Sequence, residues 1–472
     1  MSNYIPTIGL EVHVEIKSKS KLFSDSANAY GMATNTSVNV IDLGYPGTLP
    51  TLNKEVIRQA LRACKVLNCD ITRKMHFDRK NYFYPDNSKN YQITQNRTPI
   101  GTNGYVEIEV DGISKKIEIE ELHIEEDTCK SAHRGNVSLL DFNRAGVPLI
   151  EIVTKPCIKN GKEAMAYLTK LKELLFYANI SDCKMEEGSM RCEPNISISK
   201  DDSFGTKVEV KNVSSIHNVG LAIDYEIKRQ EEMLNNGEII KEETRRFDDK
   251  QGKTILMRVK ETGNDYRYFI EPDIPYLELT DEFINDSLST LPLLPDELRE
   301  KYSNLGLSSL QIEKLINNRS LNDYFLGLLD YKTNYVTAVN LLLSDISSYL
   351  NKHNKVITDT NLSYEKLVSV IDNLEKGELS NKNVKDLVDS LMETDLTIDE
   401  LKKEFKIENI TDDGFIKDII TKVIENNKES VNDYKNGHDR ALKYLMGQVM
   451  KETKGSVNPK KASDMLREAL NK

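Results

Sequence analysis

The chain has 472 residues, with 64 Lys and Arg against 75 Asp and Glu, a formal net charge of −11. A hydrophobic fraction of 39% and a charged fraction of 29% suit a globular protein of about three domains and exclude a chain disordered throughout. No apolar run approaches the roughly 18 residues of a membrane span, and the first residues carry neither the basic nor the apolar region of a secretory leader.

In chain order, Ile8, Leu10, Val12, Val14 and Ile16 alternate with Glu11, His13 and Glu15, which predicts a half-buried strand with a polar face. Apolar residues at three- and four-residue spacing predict helices over Lys54–Leu67, Lys162–Ala178 and Asn218–Asn235. Tyr105–Val110 and Lys115–Leu122 flank Asp111-Gly112, a hairpin signal. Further strands are expected at Thr206–Val213 and Thr254–Glu261, and the mixed-charge segment Lys184–Cys192 reads as a turn. Of the 23 glycines, 16 lie at or before Gly263, so the first part needs many tight turns and the rest reads as helical. Helical stretches are expected around Ser309–Asn317, Leu321–Tyr331, Tyr335–Asn351 and Tyr364–Glu375. Joins fall at Leu291–Glu297, where Pro295 or Asp296 can open a helix, and near Ile407–Asp413. The tail carries three apolar helical stripes, and from Val431 onward it has nine Lys and Arg against five Asp and Glu, net +4 on an otherwise acidic chain. The expected architecture is α+β: a sheet-rich domain over 1–293, a helical domain over 294–409 and a small helical tail domain over 410–472.

Six scattered cysteines without a C-x-x-C pair point to reduced thiols and a cytoplasmic protein. Glu11 and His13, two apart on a strand, leave one face together, as a divalent-metal ligand pair or a base with its orienting partner would; an ordinary polar strand face is the plain alternative. Glu151 interrupts the apolar run Val147–Val153, where a carboxylate is costly unless it is paired or bound to a metal; a partly exposed strand edge would also accommodate it. Glu125, Glu126 and Asp127 are three adjacent acids that repel unless a cation sits among them. Arg79, Lys80, Tyr82 and Tyr84 interleave cations with aromatic rings, as suits a nucleotide or an RNA end, or simply a tyrosine-rich core with surface charges. Gly252-Lys253-Thr254 lacks the first glycine of a phosphate-binding loop, because Phe247 stands there, and neither G-x-G-x-x-G nor G-x-S-x-G occurs. Any nucleotide chemistry here uses an unconventional site.

The runs IGLEVHVEIKSKSKLF, FDRKNYFYPDNSKNYQITQ, KMEEGSMRC, TRRFDDKQGKTILMRVKE and NGHDRALKYLMGQVMKETKGSVNP together resemble the B subunits of the aspartyl/glutamyl-tRNA(Asn/Gln) amidotransferase family, over nearly the whole chain. The resemblance implies a cradle-like catalytic (kinase/transamidase) first domain. It implies ATP- and Mg²⁺-dependent phosphorylation of the side-chain carboxylate of Glu-tRNA(Gln) or Asp-tRNA(Asn), then amidation by ammonia from a glutamine-hydrolysing amidase (A) subunit, with a small C subunit as further partner. The implied Mg²⁺ and catalytic residues are Glu11, His13, Glu126 and Glu151; Lys80 and Arg191 match basic positions for phosphate or substrate carboxylate, and Glu125 or Glu126 would guide ammonia. The tail is expected to grip the tRNA body through Lys443, Lys451, Lys454, Lys460 and Lys461. Many relatives carry a zinc knuckle where this chain has Ser24, Ser26, Asn39 and Asp42, so no zinc is expected and the loop must hold itself by hydrogen bonds. The archaeal E-type paralogue has an inserted domain for which this length leaves no room. A non-catalytic tRNA-binding scaffold is the competing reading.

Overall fold

The alternating segment near the N-terminus folds as strand β1 (Ile5–Glu15), the middle strand of a nine-stranded sheet. The computed structural model describes residues 3–201, 203–259, 266–407, 413–435, 439–453, 457 and 459–471. After β1, the sheet takes β2 (Asp70–Ile71), β3 (Gly101–Val110), β4 (Ile113–Glu126), β5 (Pro148–Thr154), β6 (Met190–Ser199), β7 (Val208–Lys211), β8 (Glu243–Asp248) and β9 (Lys253–Val259). Their spatial order is β9-β8-β7-β6-β1-β5-β4-β3-β2. All neighbours are antiparallel except β7 and β8, a parallel pair whose connection contains the helix Ile216–Asn235. The chain divides into two compact units, Met1–Pro295 and Asp296–Lys472.

One sheet face is apolar and covered by helices α1 (Lys54–Val66), α2 (Gly161–Tyr177) and α3 (Ile216–Asn235). Ile8, Leu10, Val12 and Val14 of β1 are fully buried there, in one core with Leu61, Leu168 and Ile223 of the helices. Asn53, Asn160 and Ser215 cap these helices, each side chain accepting from a backbone N–H of the first turn. Helices α2 and α3 meet at Gly161 and Gly220, where a Cβ on Gly161 would lie 2.4 Å from the Gly220 carbonyl, so only glycine permits that approach. Between β3 and β4, Asp111 (φ 52°) and Gly112 (φ 80°) make the predicted hairpin turn, both in the left-handed region that such a turn requires.

Two local readings change. The predicted turn at Lys184–Cys192 ends at Ser189, and β6 begins at Met190, so Arg191 and Cys192 are strand residues. Met190, Cys192, Ile196 and Ile198 are buried and alternate with the polar Arg191, Glu193, Asn195 and Ser197, a period of two that the mixed charges of the turn conceal. The helix predicted over Tyr335–Asn351 runs as Tyr335–Leu341 and Ser347–His353, with one wider π turn, Leu342–Ile346, between them. Of the strand expected at Thr254–Glu261, Lys260 and Glu261 lie outside the described residues.

The loop after β1 closes on Asp42. Its carboxylate accepts hydrogen bonds from Ser24 Oγ (2.7 Å), Ser26 Oγ (2.6 Å) and the Asn39 backbone N–H (3.0 Å). The Lys21 ammonium, fully buried, lies 3.3 Å from the same carboxylate and 3.3 Å from the Phe142 carbonyl. Burial pulls the Lys21 ammonium below its ordinary value, and Asp42 opposes that shift. Ser24, Ser26, Asn39 and Asp42 therefore converge, but around a side-chain ammonium and with no thiolate or imidazole among them, a set that does not fit zinc.

In the second unit, short capped helices follow Pro295, and Ser308 with Gln311 closes a capping box on Ser309–Ile316. The tail helices Asp413–Asn426, Lys428–Lys435, Asp439–Glu452 and Pro459–Leu470 include one more than the sequence stripes suggest. Ile416, Ile420, Leu445, Val449 and Leu466 form a separate apolar core there. Lys443, Lys451 and Lys461 are exposed; Lys454 and the Lys460 side chain lie outside the described residues. No described helix is long and apolar enough to cross a membrane.

Candidate functional site

Strand period and register assemble the site on the sheet face away from the helices. On β1, Glu11, His13 and Glu15 face away from the buried apolar set. His13 stands opposite Glu151 on β5 and opposite Arg191 on β6, and Glu151 stands opposite His123 on β4. The result is a row across four adjacent strands: His123, Glu151, His13, Arg191.

Glu151 is shared by two imidazoles: its Oε2 lies 2.9 Å from His123 Nε2 and 3.4 Å from His13 Nε2. Glu125, two residues beyond His123 and so on the same face of β4, brings its Oε1 to 3.4 Å from His13 Nε2. Burial disfavours the charged form of both imidazoles, but Glu151 and its neighbours outweigh it and push His13 and His123 up to about 10. Burial also works against the Glu151 and Glu125 carboxylates; the imidazoles outweigh it and hold both below the usual carboxylate range, Glu151 well below. The Nδ1 atom of His13 is buried without a hydrogen-bond partner, and that of His123 lies 3.6 Å from the Glu121 carboxylate.

The remaining sequence candidates separate. Lys80, on the strand Asp78–Asn81, holds its ammonium 5.0 Å from the centre of the Tyr266 ring. Burial opposes its charge, but the Glu125 and Glu151 carboxylates prevail and raise it above the ordinary lysine value. Arg191 donates to Asp127 at 3.0 Å, and Arg144 meets the same carboxylate oxygen at 3.0 Å. Beside them, burial and then Asp127 push Glu15 up to about 7. Glu11 accepts from Asn195 Nδ2 at 2.8 Å and belongs to a second acidic group with Glu193 and Glu209. Glu126 is not gathered with the histidines: its carboxylate accepts from the Ile93 backbone N–H at 2.9 Å and pairs with Lys89. Sequence reasoning passed over His123, although the signal was there: Glu11-x-His13 on β1 is answered by His123-x-Glu125 on β4, the same period of two.

One imidazole nitrogen of His13 and one oxygen each of Glu125 and Glu151 lie within 4.8 Å of one another, close enough to share a cation. The oxygen majority suits a hard divalent ion that keeps some of its water. The group Glu11, Glu193 and Glu209 is as tight, but Lys211 already stands between Glu193 and Glu209 and offsets one of its three charges. A cation at His13 requires neutral imidazole, so cation and proton compete. In chelator-treated protein, the raised histidines contribute stability that is fully present below about pH 6.5 and is lost as pH rises toward their folded-state values near 10. Thermal denaturation across that window should show a melting temperature falling by roughly several degrees, and added Mg²⁺ should counter the fall. A melting temperature flat from pH 6.5 to 9.5 would contradict the assigned imidazolium–carboxylate row.

Comparison with known families and proteins gives one answer over the whole length. Residues 6–285 match the GatB/GatE catalytic domain, and residues 323–470 match the GatB domain. The B subunit of the aspartyl/glutamyl-tRNA(Asn/Gln) amidotransferase of Geobacillus thermodenitrificans is 47% identical over all of both chains. The B subunits of the same amidotransferase from Bacillus pumilus and Staphylococcus haemolyticus are each 46% identical, over 100% and 98% of both chains respectively.

Proposed function

Because this chain belongs to the GatB/GatE family, we propose that it is the phosphorylating and amide-forming subunit of a tRNA-dependent amidotransferase. In this reading a side-chain carboxylate oxygen of Glu-tRNA(Gln) or Asp-tRNA(Asn) takes the γ-phosphoryl group of ATP, giving an acyl phosphate and ADP. Ammonia then attacks the acyl carbon, phosphate leaves, and the nitrogen sheds a proton to give the amide. The observation that carries the reading is the row His123–Glu151–His13–Arg191, with Glu125 and Lys80 alongside.

The chemical difficulty is concentrated negative charge, since a carboxylate must approach a triphosphate. Lys80 and Arg191 supply permanent cations on this side of the sheet to bind phosphate oxygens and the substrate carboxylate. His13, Glu125 and Glu151 are the residues that would hold Mg²⁺, with Glu11 next along the strand. When bound, the ion neutralises triphosphate charge and shields the attacking oxygen. Glu151, placed between His123 and His13, fixes the orientation of both rings. Glu126, bonded to Lys89 and turned from the histidines, is the carboxylate left to receive a proton from incoming ammonium.

Ammonia would come from a glutamine-hydrolysing A subunit, with a C subunit completing the complex, and the segment 410–472 would bind the tRNA body away from its aminoacyl end. The three-subunit complex should release ADP only when misacylated tRNA is present. A scaffold would release none, and ADP release indifferent to the tRNA's amino acid would overturn the reading. Deleting 410–472 should weaken tRNA binding and flatten its salt dependence by about one unit of slope per lost phosphate contact. Unchanged affinity after that deletion would remove the tail from the tRNA site.

A further inference from the structure

Cys64 and Cys69 lie outside any C-x-x-C pattern, yet the end of α1 brings them together. Asn68, in the left-handed conformation (φ 56°), turns the chain back on the helix. The Asn68 N–H then bonds to the Lys65 carbonyl at 3.3 Å and the Cys69 N–H to the Cys64 carbonyl at 2.8 Å. This paired closure ordinarily sets a side-chain contact between its first and last residues, and here both of those residues are cysteines. Strand β3 leaves room for their sulfurs with two glycines. A Cβ on Gly101 would lie 2.7 Å from Cys64 Sγ and 3.6 Å from Cys69 Sγ, and one on Gly104 would lie 2.4 Å from Cys69 Sγ. Both cysteines are free thiols; Cys64 is fully buried and Cys69 half-buried. The Cys69 sulfur, and then burial, push the Cys64 thiol well above its ordinary value, so the first reaction with a solute falls to Cys69.

We propose that Cys64 and Cys69 form a reversible dithiol–disulfide site that takes a peroxide as its oxidant and, when closed, pins the end of α1 to the edge strand β2. With hydrogen peroxide, the Cys69 sulfur bonds to one oxygen and the O–O bond breaks. The departing hydroxide takes the thiol's proton and leaves as water, and Cys69 is then a sulfenic acid. The Cys64 sulfur attacks that of Cys69, the S–O bond breaks, and the hydroxyl leaves with the Cys64 proton as a second water. Two thiols are oxidised and one peroxide is reduced, so no further reactant is needed. Closure removes two hydrogens and draws the sulfurs to about 2.05 Å, which adds no volume beneath β3. Cys69 immediately precedes β2, whose Asp70 and Ile71 pair with Thr102 and Gly101 of β3, so the bond ties a helix to the last strand of the sheet. Transient, redox-sensing disulfides of this kind are the ones a reducing compartment permits. The inference is independent of the ATP-dependent reading, because α1 covers the sheet face away from the histidines.

The test treats the full chain with hydrogen peroxide, alkylates the remaining thiols under denaturing conditions and digests with trypsin, which cuts after Lys65 between the two cysteines. The peptides 63–65 and 66–73 should emerge joined, and dithiothreitol should separate them. Before digestion, the oxidised chain should melt higher than the reduced one by roughly a few degrees and return on reduction. Cys64→Ala should leave Cys69 as a sulfenic acid that dimedone captures, and Cys69→Ala should leave Cys64 unoxidised; neither variant should gain melting temperature on treatment. Both thiols still alkylated at a dose that oxidises free glutathione would overturn the proposal, as would a disulfide from either cysteine to the half-buried Cys157. A joined form that melts no higher than the reduced chain would overturn the pinning of α1 to β2.

Discussion

Replacing Glu125 by alanine should reduce amide formation by about 10²-fold or more, and His13→Ala should do the same. Both residues offer an atom to the group that His13, Glu125 and Glu151 form. In the proposed reading, losing one would remove transition-state charge neutralisation, a loss typically of several kcal/mol. Binding of tRNA should survive, because its phosphate contacts are assigned to the tail. Mn²⁺ affinity, followed by paramagnetic resonance, should fall along with activity. The adjacent Glu126→Ala makes the comparison sharp. Its side chain is bonded to Lys89 and the Ile93 backbone, so Mn²⁺ affinity should be retained whatever happens to amidation. The result that would sink the assignment is retained amidation and Mn²⁺ affinity in Glu125→Ala, or inactivity fully accounted for by unfolding in a thermal melt.

Asp42→Ala should destabilise the first unit by about 3–5 kcal/mol, the cost typical of breaking a buried ion pair from one side. The substitution takes from the buried Lys21 ammonium its carboxylate partner, leaving the Phe142 carbonyl as its hydrogen-bond acceptor among the described residues, and takes the acceptor from Ser24, Ser26 and the Asn39 N–H. The double variant Lys21→Met, Asp42→Leu removes both charges and should recover much of the loss, since an apolar pair needs no desolvation. Chemical denaturation of the two single variants and the double variant measures the coupling. If Asp42→Ala costs less than about 1 kcal/mol, the ion pair does not hold this loop. The wild-type stability should be indifferent to a strong zinc chelator, because no zinc ligand set is present at these positions.

Local signals carried much of the fold. The alternation of Ile8, Leu10, Val12 and Val14 specified β1 and thereby placed Glu11 and His13 on one face. Asp111-Gly112 specified a hairpin turn, because positive φ at both residues suits few other pairs. The thinning of glycine after residue 263 separated the sheet-rich part from the helical one, and long ordered motifs carried the family. Each of these is legible in the chain itself, because backbone sterics and the periods of strand and helix act over a few residues.

Which of the acids belong together depends on contacts far apart in the chain. Strand period says that Glu125 and Glu126 point to opposite faces, but not which face of β4 meets β1, because β5 lies between them. The register His13–Glu151–His123 is set by packing of the whole sheet on its helices. It selects Glu125, turns Glu126 to Lys89, and admits His123, which no motif had marked. Arg191 joins the row because β6 pairs with β1, although its mixed-charge surroundings read as a turn. The lysine inside the Asp42 loop came to light in the same way: Lys21 looks like one more charge in the sequence and is fully buried in the fold. A strand's period determines which side chains share a face; only long-range pairing, stabilised by burial of the opposite face, determines which faces' side chains become neighbours.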